Sequence, residues 1–400
     1  MPSPAQTAAV CAGASSRGTG KDKEKWDIMT EFYLDNAATT RPIPQAREAA
    51  LMAMEEYGNP GSLHARGIAA RRLLDDSRAA LAQALGCGAG SVSFTSGGTE
   101  SINTALRGAV QKNRAVGKHI VSTQIEHDAT LNTLKELKNA GYEITLVSPE
   151  RDGSISPEAL RSALREDTAL VTLMGVCNET GAILPVSDLR RAMRAICPRA
   201  LLHVDGVQTF CKIPLPMGDI DLLSLSAHKI GGLKGSGALY VRPGLSLRPL
   251  LFGGGQESGF RSGTEAMPQI AAFAAAARAR SASFVQDTAH MSALRDALLQ
   301  GARARGWFVN TPESGAPHVV NLSPGVGRSE VYIRVLSDQG IYVSGGSACS
   351  RGKKSHVLTA MRLPANNVDA ALRVSLCPET PAEAVEAFFA AMDRARAMFE

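Results

Sequence analysis

The chain has 400 residues, 44% of them hydrophobic, and sets 43 Lys and Arg against 38 Asp and Glu for a formal charge of +5. That is enough chain for a sizeable core, with length favouring two domains over one, and so mixed a surface charge excludes a basic field for direct nucleic-acid binding. No apolar run reaches the roughly 18 to 20 residues of a membrane span and no signal-peptide segment opens the chain, so the expectation is a soluble, cytoplasmic protein with no membrane partner.

Residues 1–28, rich in Ala, Ser, Gly and Lys without periodicity, read as a disordered extension. Residues 29–42 read as a segment joining a small domain, residues 43–285 as a large domain and residues 286–400 as the small C-terminal domain. Through the large domain, short apolar or β-branched runs alternate with helical patterns: Val92–Phe94, His119–Ser122, Ile144–Val147, Ala169–Leu173, Leu201–Val204, Leu222–Leu225 and Ala238–Val241. That alternation predicts an α/β fold, a mostly parallel central sheet with helices on both faces. Ser156-Pro157-Glu158 supplies an N-cap hydroxyl, a first-turn proline and an acid for one helix. The alanine-rich stretch Ile270–Ala282 is a strong helix former that could begin the connection to the second domain. Beyond it, Val319–Leu322, Ile341–Val343 and Leu372–Ser375 alternate with helices, predicting a smaller α+β domain.

Chemistry concentrates at the ends of these predicted strands. Lys229, in Ser226-Ala227-His228-Lys229, stands where an apolar strand empties into a glycine-rich turn. A lysine is costly there unless its charge is paired or its pKa lowered, and an imine-forming lysine needs such a place. Asp205 ends the strand Leu201–Val204, where it could keep the pyridine nitrogen of pyridoxal phosphate protonated. Thr95-Ser96-Gly97-Gly98-Thr99-Glu100 joins a strand to a helix through small residues, a phosphate cradle of backbone amides. His127 could stack on a cofactor ring and shuttle protons, Asn178 and Glu179 end a further strand, and Arg373 on an apolar strand suggests a carboxylate clamp.

Of seven cysteines none forms a Cys-x-x-Cys, and no His/Cys spacing suits a metal, so no metal site is expected and most read as small buried hydrophobes. Cys349 differs. It lies among Gly345, Gly346, Gly352 and the basic Arg351, Lys353 and Lys354, a loop thiol in surroundings that favour the nucleophilic thiolate.

Taken together, Leu34-Asp35-Asn36-Ala37-Ala38-Thr39-Thr40, Thr95-Ser96-Gly97-Gly98-Thr99-Glu100, Asn178-Glu179-Thr180-Gly181, His203-Val204-Asp205, Ser226-Ala227-His228-Lys229, Arg261-Ser262-Gly263-Thr264 and Gly346-Ser347-Ala348-Cys349 make the chain resemble the NifS/IscS-like cysteine desulfurases. These are pyridoxal-phosphate enzymes of the fold-type I, class-V aminotransferase group, and the resemblance runs from about Phe32 to the C-terminus. It implies that Lys229 holds pyridoxal 5'-phosphate, Asp205 partners the ring nitrogen, and His127 stacks on the ring. It further implies phosphate contacts from Gly98, Thr99, Ser226 and His228, and a Gln208 hydrogen bond to the phenolic oxygen. Thr264 would reach the phosphate of a neighbouring subunit in a homodimer. Asn36, Asn178 and Arg373 would bind the substrate, L-cysteine, and Cys349 would take its sulfur as a persulfide.

The implied acceptor is an iron–sulfur scaffold or a tRNA sulfurtransferase. The stretch Ser350–Ser355 looks shorter and more basic than in scaffold-feeding desulfurases and closer to relatives linked to tRNA thiolation, with Lys353 and Lys354 as docking candidates. A selenocysteine lyase or an aminotransferase is the alternative within the superfamily, and a non-catalytic sulfur-transfer scaffold the alternative outside enzymes.

Overall fold

The computed structural model describes residues 31–345 and 354–399, and residues 31–400 cluster as one compact unit. Strand β1 (Phe32–Tyr33) is followed by helices α1 (Pro44–Glu55) and α2 (Ala65–Leu85). Then come β2 (Val92–Thr95), α3 (Gly98–Lys112), β3 (His119–Thr123), α4 (Asp128–Asn139), β4 (Glu143–Val147), α5 (Pro157–Ala163), β5 (Thr168–Met174), α6 (Val186–Ile196), β6 (Leu201–Asp205), β7 (Leu222–Ser226) and β8 (Gly237–Val241). Helices α7 (Met267–Ala282) and α8 (Phe284–Ala304) lead to β9 (Phe308–Val309), β10 (Val319–Ser323), α9 (Ser329–Ser337) and β11 (Ile341–Tyr342). The chain closes with α10 (His356–Ala360), α11 (Ala365–Asp369), β12 (Leu372–Ser375) and α12 (Glu383–Arg396).

Seven strands form the central sheet in the order β2-β8-β7-β6-β5-β3-β4. Strands β4, β3, β5, β6 and β7 pair in parallel, while β8 runs antiparallel to both β7 and β2. Every residue of β3, β5, β6 and β7 is buried, as a parallel sheet covered on both faces requires. Side chains alternate across it with the two-residue strand period. Leu170, Leu201, Leu222 and Leu239 join Ile102 and Leu106 of α3 and Leu134 of α4 on one face. On the other, Val171, Leu202, Leu223 and Leu225 meet Leu74 and Leu81 of α2, Leu189 of α6 and Phe273 of α7.

The alanine-rich helix expected to begin the inter-domain connection belongs wholly to the second of these faces, because its Ala272, Phe273, Ala276 and Ala277 pack there. The change of core comes at Ser283: α8 sends Met291, Leu294 and Leu298 into a separate cluster with Leu34, Trp307, Tyr332, Leu372 and Phe388. That cluster rests on the antiparallel sheet β12-β10-β9 and the parallel pair β1-β11. The N-terminal segment therefore packs with the C-terminal elements, and Asp35 bridges to Ser375 at the end of β12.

Candidate active site

Strand β7 runs out at Ser226, and one 3-10 turn, Ala227–Lys229, sets Lys229 at the carboxyl edge of the sheet. Its Nζ donates to the carbonyl oxygens of Ala37 (2.6 Å) and Ala38 (2.8 Å). The lysine is thus held by backbone acceptors at the wall of a cavity of about 270 Å³. Gly98, Thr99, His127, Asn178, Asp205, Gln208, Ser226, His228 and Arg373 line that same cavity, so ten of the expected site residues, Lys229 included, converge from β2, β3, β5, β6, β7 and β12 or the turns after them. Carboxyl ends of parallel strands are where such sheets collect ligands, because the N-termini of the succeeding helices point there.

Asp205 closes β6. Its Oδ1 accepts from the Val207 amide at 3.0 Å, and burial pushes its carboxyl up from the ordinary value against the pull of His127 and Lys229. A protonated ring nitrogen is the partner such a carboxyl fits. Beside it lies a residue that no sequence motif singled out. Glu126 is fully buried, accepts from the Thr123 hydroxyl at 2.6 Å, and has no partner for Oε2 among the described residues. Burial first, and Asp205 second among the effects that raise it, push the Glu126 carboxyl well above the ordinary carboxylate range.

The helix N-terminus over the cavity needs two bare positions. Gly97, the N-cap of α3, adopts φ 154° and ψ −177°, a region that essentially only glycine occupies. On β8, a Cβ at Gly237 would stand 2.6 Å from Gly97 Cα and from the Leu225 carbonyl oxygen. Without those two, α3 could not seat its first amides, those of Gly98 and Thr99, against the sheet end. His228 completes this corner with Nδ1 3.1 Å from Thr39 Oγ1, and burial, then the nearby Lys229, Lys212 and Lys234, push its pKa down to about 3. At that value the ring is a neutral imidazole, able to meet an anion through a hydrogen bond and not through charge.

His127 is the N-cap of α4, its Nδ1 accepting from the Ala129 amide at 3.1 Å. With that lone pair taken, a neutral ring carries its hydrogen on Nε2. Arg373, 1% exposed, donates from Nη2 to Asp35 Oδ1 (2.8 Å) and from Nη1 to the Asn178 carbonyl (3.0 Å). Its Nε–H is buried without a partner among the described residues. A guanidinium fixed on one edge with an unsatisfied donor on another has the chemistry to take up a carboxylate.

Two expected residues do not reach the cavity. Asn36 spends its amide on the carbonyls of Tyr33 and Ser375, 3.0 Å each, and Thr264 is exposed. Neither lines the cavity. Cys349, with Lys353, lies outside the described residues. The chain beyond them is tied down: Ser355 Oγ donates to the buried Glu179 Oε2 at 2.5 Å and caps α10 at Leu358. His356 Nε2 donates to the Glu126 carbonyl at 3.0 Å. Lys354, the other docking candidate, pairs with Asp369 at 2.8 Å on the surface. Among the described residues no cluster of His, Cys, Asp and Glu could hold a metal, and no helix is long and apolar enough to cross a membrane.

An amine, a buried carboxyl, an imidazole, a helix N-terminus and a guanidinium around one cavity fit pyridoxal phosphate and an amino acid. The comparisons agree with that fit. Residues 32–388 match the aminotransferase class-V family. A NifS/IcsS protein homologue of Lactobacillus delbrueckii subsp. bulgaricus is 38% identical over 371 residues, covering 90% of this chain and 96% of the relative. The cysteine desulfurase IscS of Methanosarcina thermophila is 37% identical over 360 residues, covering 88% and 89%. A solved NifS-like protein superposes with a TM-score of 0.87 at 36% identity, over 92% of this chain and all of that one. By fold, cavity and kinship the chain belongs to the pyridoxal-phosphate-dependent class-V aminotransferase family, in its NifS/IscS cysteine desulfurase branch.

Proposed function

We propose that this chain takes sulfur from L-cysteine, releases L-alanine and holds the sulfur as a persulfide on Cys349. The observation that carries the reading is the buried, unpartnered Nε–H of Arg373 in the cavity wall that also holds Lys229. An α-carboxylate bound there would bring the rest of an amino acid toward the lysine. Pyridoxal phosphate supplies an electron sink for the substrate's α-carbon. Lys229 would hold it through its amine, Asp205 would keep its ring nitrogen protonated, and the α3 amides with Ser226 and His228 would take its phosphate. The Lys229 amine would carry the substrate's α-proton, while the capped His127 would orient the ring and donate from Nε2.

Cys349 acts as a thiolate. Its sulfur attacks the substrate sulfur, a sulfur–sulfur bond forms, the carbon–sulfur bond breaks with its electron pair going to carbon, and that carbon takes a proton to give alanine. The persulfide then passes to an acceptor, an iron–sulfur scaffold or a tRNA sulfurtransferase, as the basic stretch after Cys349 suggests. The division at about residue 285 into a large cofactor domain and a small domain is supported by the switch of core after α7. A homodimer is supported by the exposed Thr264 and by the apolar outer side of α1. Cys87, Cys177, Cys197, Cys211 and Cys377 are free thiols, in keeping with a reducing compartment such as the cytoplasm.

The test is incubation with ³⁵S-cysteine. Equimolar alanine and label on Cys349 are expected, and Cys349→Ser should lose the label yet keep the visible cofactor band. Alanine-free transamination in both proteins would indicate an aminotransferase, a strong preference for selenocysteine a lyase, and absence of any cofactor band a scaffold.

A further inference from the structure

A second lysine lies behind the first. Lys212, seven residues after Asp205, is 6% exposed, and among the described residues no ion pair holds it within 4 Å of an acid. Its Nζ donates to Gln208 Oε1 at 3.0 Å. The same oxygen faces Nε2 of the fully buried His318 at 3.3 Å, whose Nδ1 has no partner among the described residues. At the other end of the amide, Gln208 Nε2 donates at 2.9 Å to the Ala37 carbonyl, the acceptor that Lys229 also uses.

This arrangement decides which way the amide points. The Ala37 carbonyl can only accept and Lys212, while charged, can only donate, so both hold the amide oxygen inward and its nitrogen toward the cavity. The amide nitrogen has two hydrogens; one goes to Ala37, and the second is left for the cavity that Gln208 lines. Were the amide reversed, Gln208 would offer the cavity an acceptor, which repels a phenolate oxygen. Lys212 itself does not line that cavity. An ammonium kept in a buried site at such cost calls for a role there.

We propose that Lys212 is a positioning residue for the cofactor: it locks the Gln208 side chain so that the amide presents only a donor to the phenolic oxygen of pyridoxal phosphate. This rests on the reading that the cofactor occupies the Lys229 cavity with that oxygen toward Gln208. The donor favours the phenolate over the protonated ring oxygen, so the lock shows in how the visible band of the loaded protein changes with pH. The charged and titratable groups that face Lys212 are Lys229, Arg280, His318 and the thiols of Cys211 and Cys377. Those that face Lys229 are Asp205, His228 and Lys212. Since Lys212 would also act on Lys229 through its charge, the experiment must separate charge from orientation.

A double-mutant cycle does so. The pH midpoint of the visible band and the cofactor dissociation constant are measured, without substrate, for the parent, Lys212→Met, Gln208→Ala and the pair. Lys212→Met should weaken cofactor binding several-fold and displace the midpoint by about one pH unit, tenfold in the underlying equilibrium, while Lys212→Met on Gln208→Ala should change neither further. Lys212→Gln, a neutral donor of shorter reach, should restore part of the parent midpoint, and it stands in if the methionine variant fails to fold. The proposal is overturned if Lys212→Met leaves the midpoint unmoved, or if its shift is as large without the Gln208 amide, which would assign the effect to charge. A parent that binds no cofactor would instead overturn the reading of the cavity.

Discussion

Lys212 shows how much a single buried side chain can cost and where that cost can be read. Burial, then the charge of Lys229, holds its pKa down to about 7 from an ordinary 10.5. Between those two values the unfolded chain binds a proton that the folded chain lacks, so the contribution of this site to stability rises as pH climbs through that interval. Below about 7 the penalty for the buried ammonium is present in full, and above 10.5 it is gone. Cofactor-free Lys212→Met, which fills the space with an apolar chain of similar length, should accordingly melt higher than the parent at pH 7. The gap should narrow steadily toward pH 10. Thermal melts of both proteins across that range check it; a gap independent of pH would mean that Lys212 keeps an ordinary pKa in the folded state. The same reasoning explains why His203, in the middle of β6 between Thr172 and Ser224 (2.8 and 2.9 Å), is no acid–base candidate. Burial pushes it down to about 3, and both ring nitrogens are spent on neighbouring strands.

At the scale of elements, the chain at Ser355 and His356, after the proposed nucleophile, is fastened beside the cavity-lining residues. Ser355 caps α10 and donates to Glu179, the next residue after Asn178, while His356 reaches the backbone of Glu126, one residue before His127. Ser355→Ala removes a cap, about 1 kcal/mol, and leaves the buried Glu179 carboxyl with neither oxygen partnered among the described residues, about 1–3 kcal/mol more. The melting temperature should fall and persulfide formation on Cys349 should slow, with the visible cofactor band unchanged. Stopped-flow alkylation with mass spectrometry of the Cys349 peptide measures the rate; an unaltered rate in the destabilised variant would show that this anchor serves folding alone. Anchors of this kind are poorly legible in sequence, because Glu179 and Ser355 are 176 residues apart and each has an ordinary local role. Lys229, Asp205 and Arg373 were legible because each sets a charge within an apolar strand run or at its end. Asn36 is the converse case: it sits among telling residues, but its amide is used to close the backbone between β1 and β12. Strand positions were equally plain, since the buried runs of β3, β5, β6 and β7 stand between helix caps such as Ser156. The antiparallel insertion of β8 was not, because pairing direction leaves no mark on a fully buried strand.

For the whole molecule, the outer side of α1 sets the next problem. Its inner side buries Ala46, Ala50 and Ala53, yet its outer side exposes Leu51, Met52 and Met54 at 64%, 68% and 57%, and the adjoining segment exposes Tyr57 and Leu63 at 77% and 94%. Three exposed large apolar side chains toward the end of one helix, with two more in the segment that follows, suit an interface. A second copy of the chain, as proposed above, would also account for the loop bearing Thr264. That loop is pinned rather than loose: Glu257 joins Arg78 at 2.5 and 2.8 Å and accepts from the Phe94 amide, and Arg261 joins Glu100 in the first turn of α3. Glu257 and Ser258 hold positive φ values of 51° and 56°, strain that those ion pairs offset. An exposed threonine on so rigid a mount is placed to meet something outside its own chain. Light scattering should therefore give twice the chain mass, and Leu51→Glu with Met54→Glu should give the single mass. In that monomer cofactor affinity should fall by about as much as in the dimeric Thr264→Ala, because both remove the same contact. If the separated monomer bound pyridoxal phosphate as tightly as the parent, each site would be complete within one chain, and Thr264 would need another explanation.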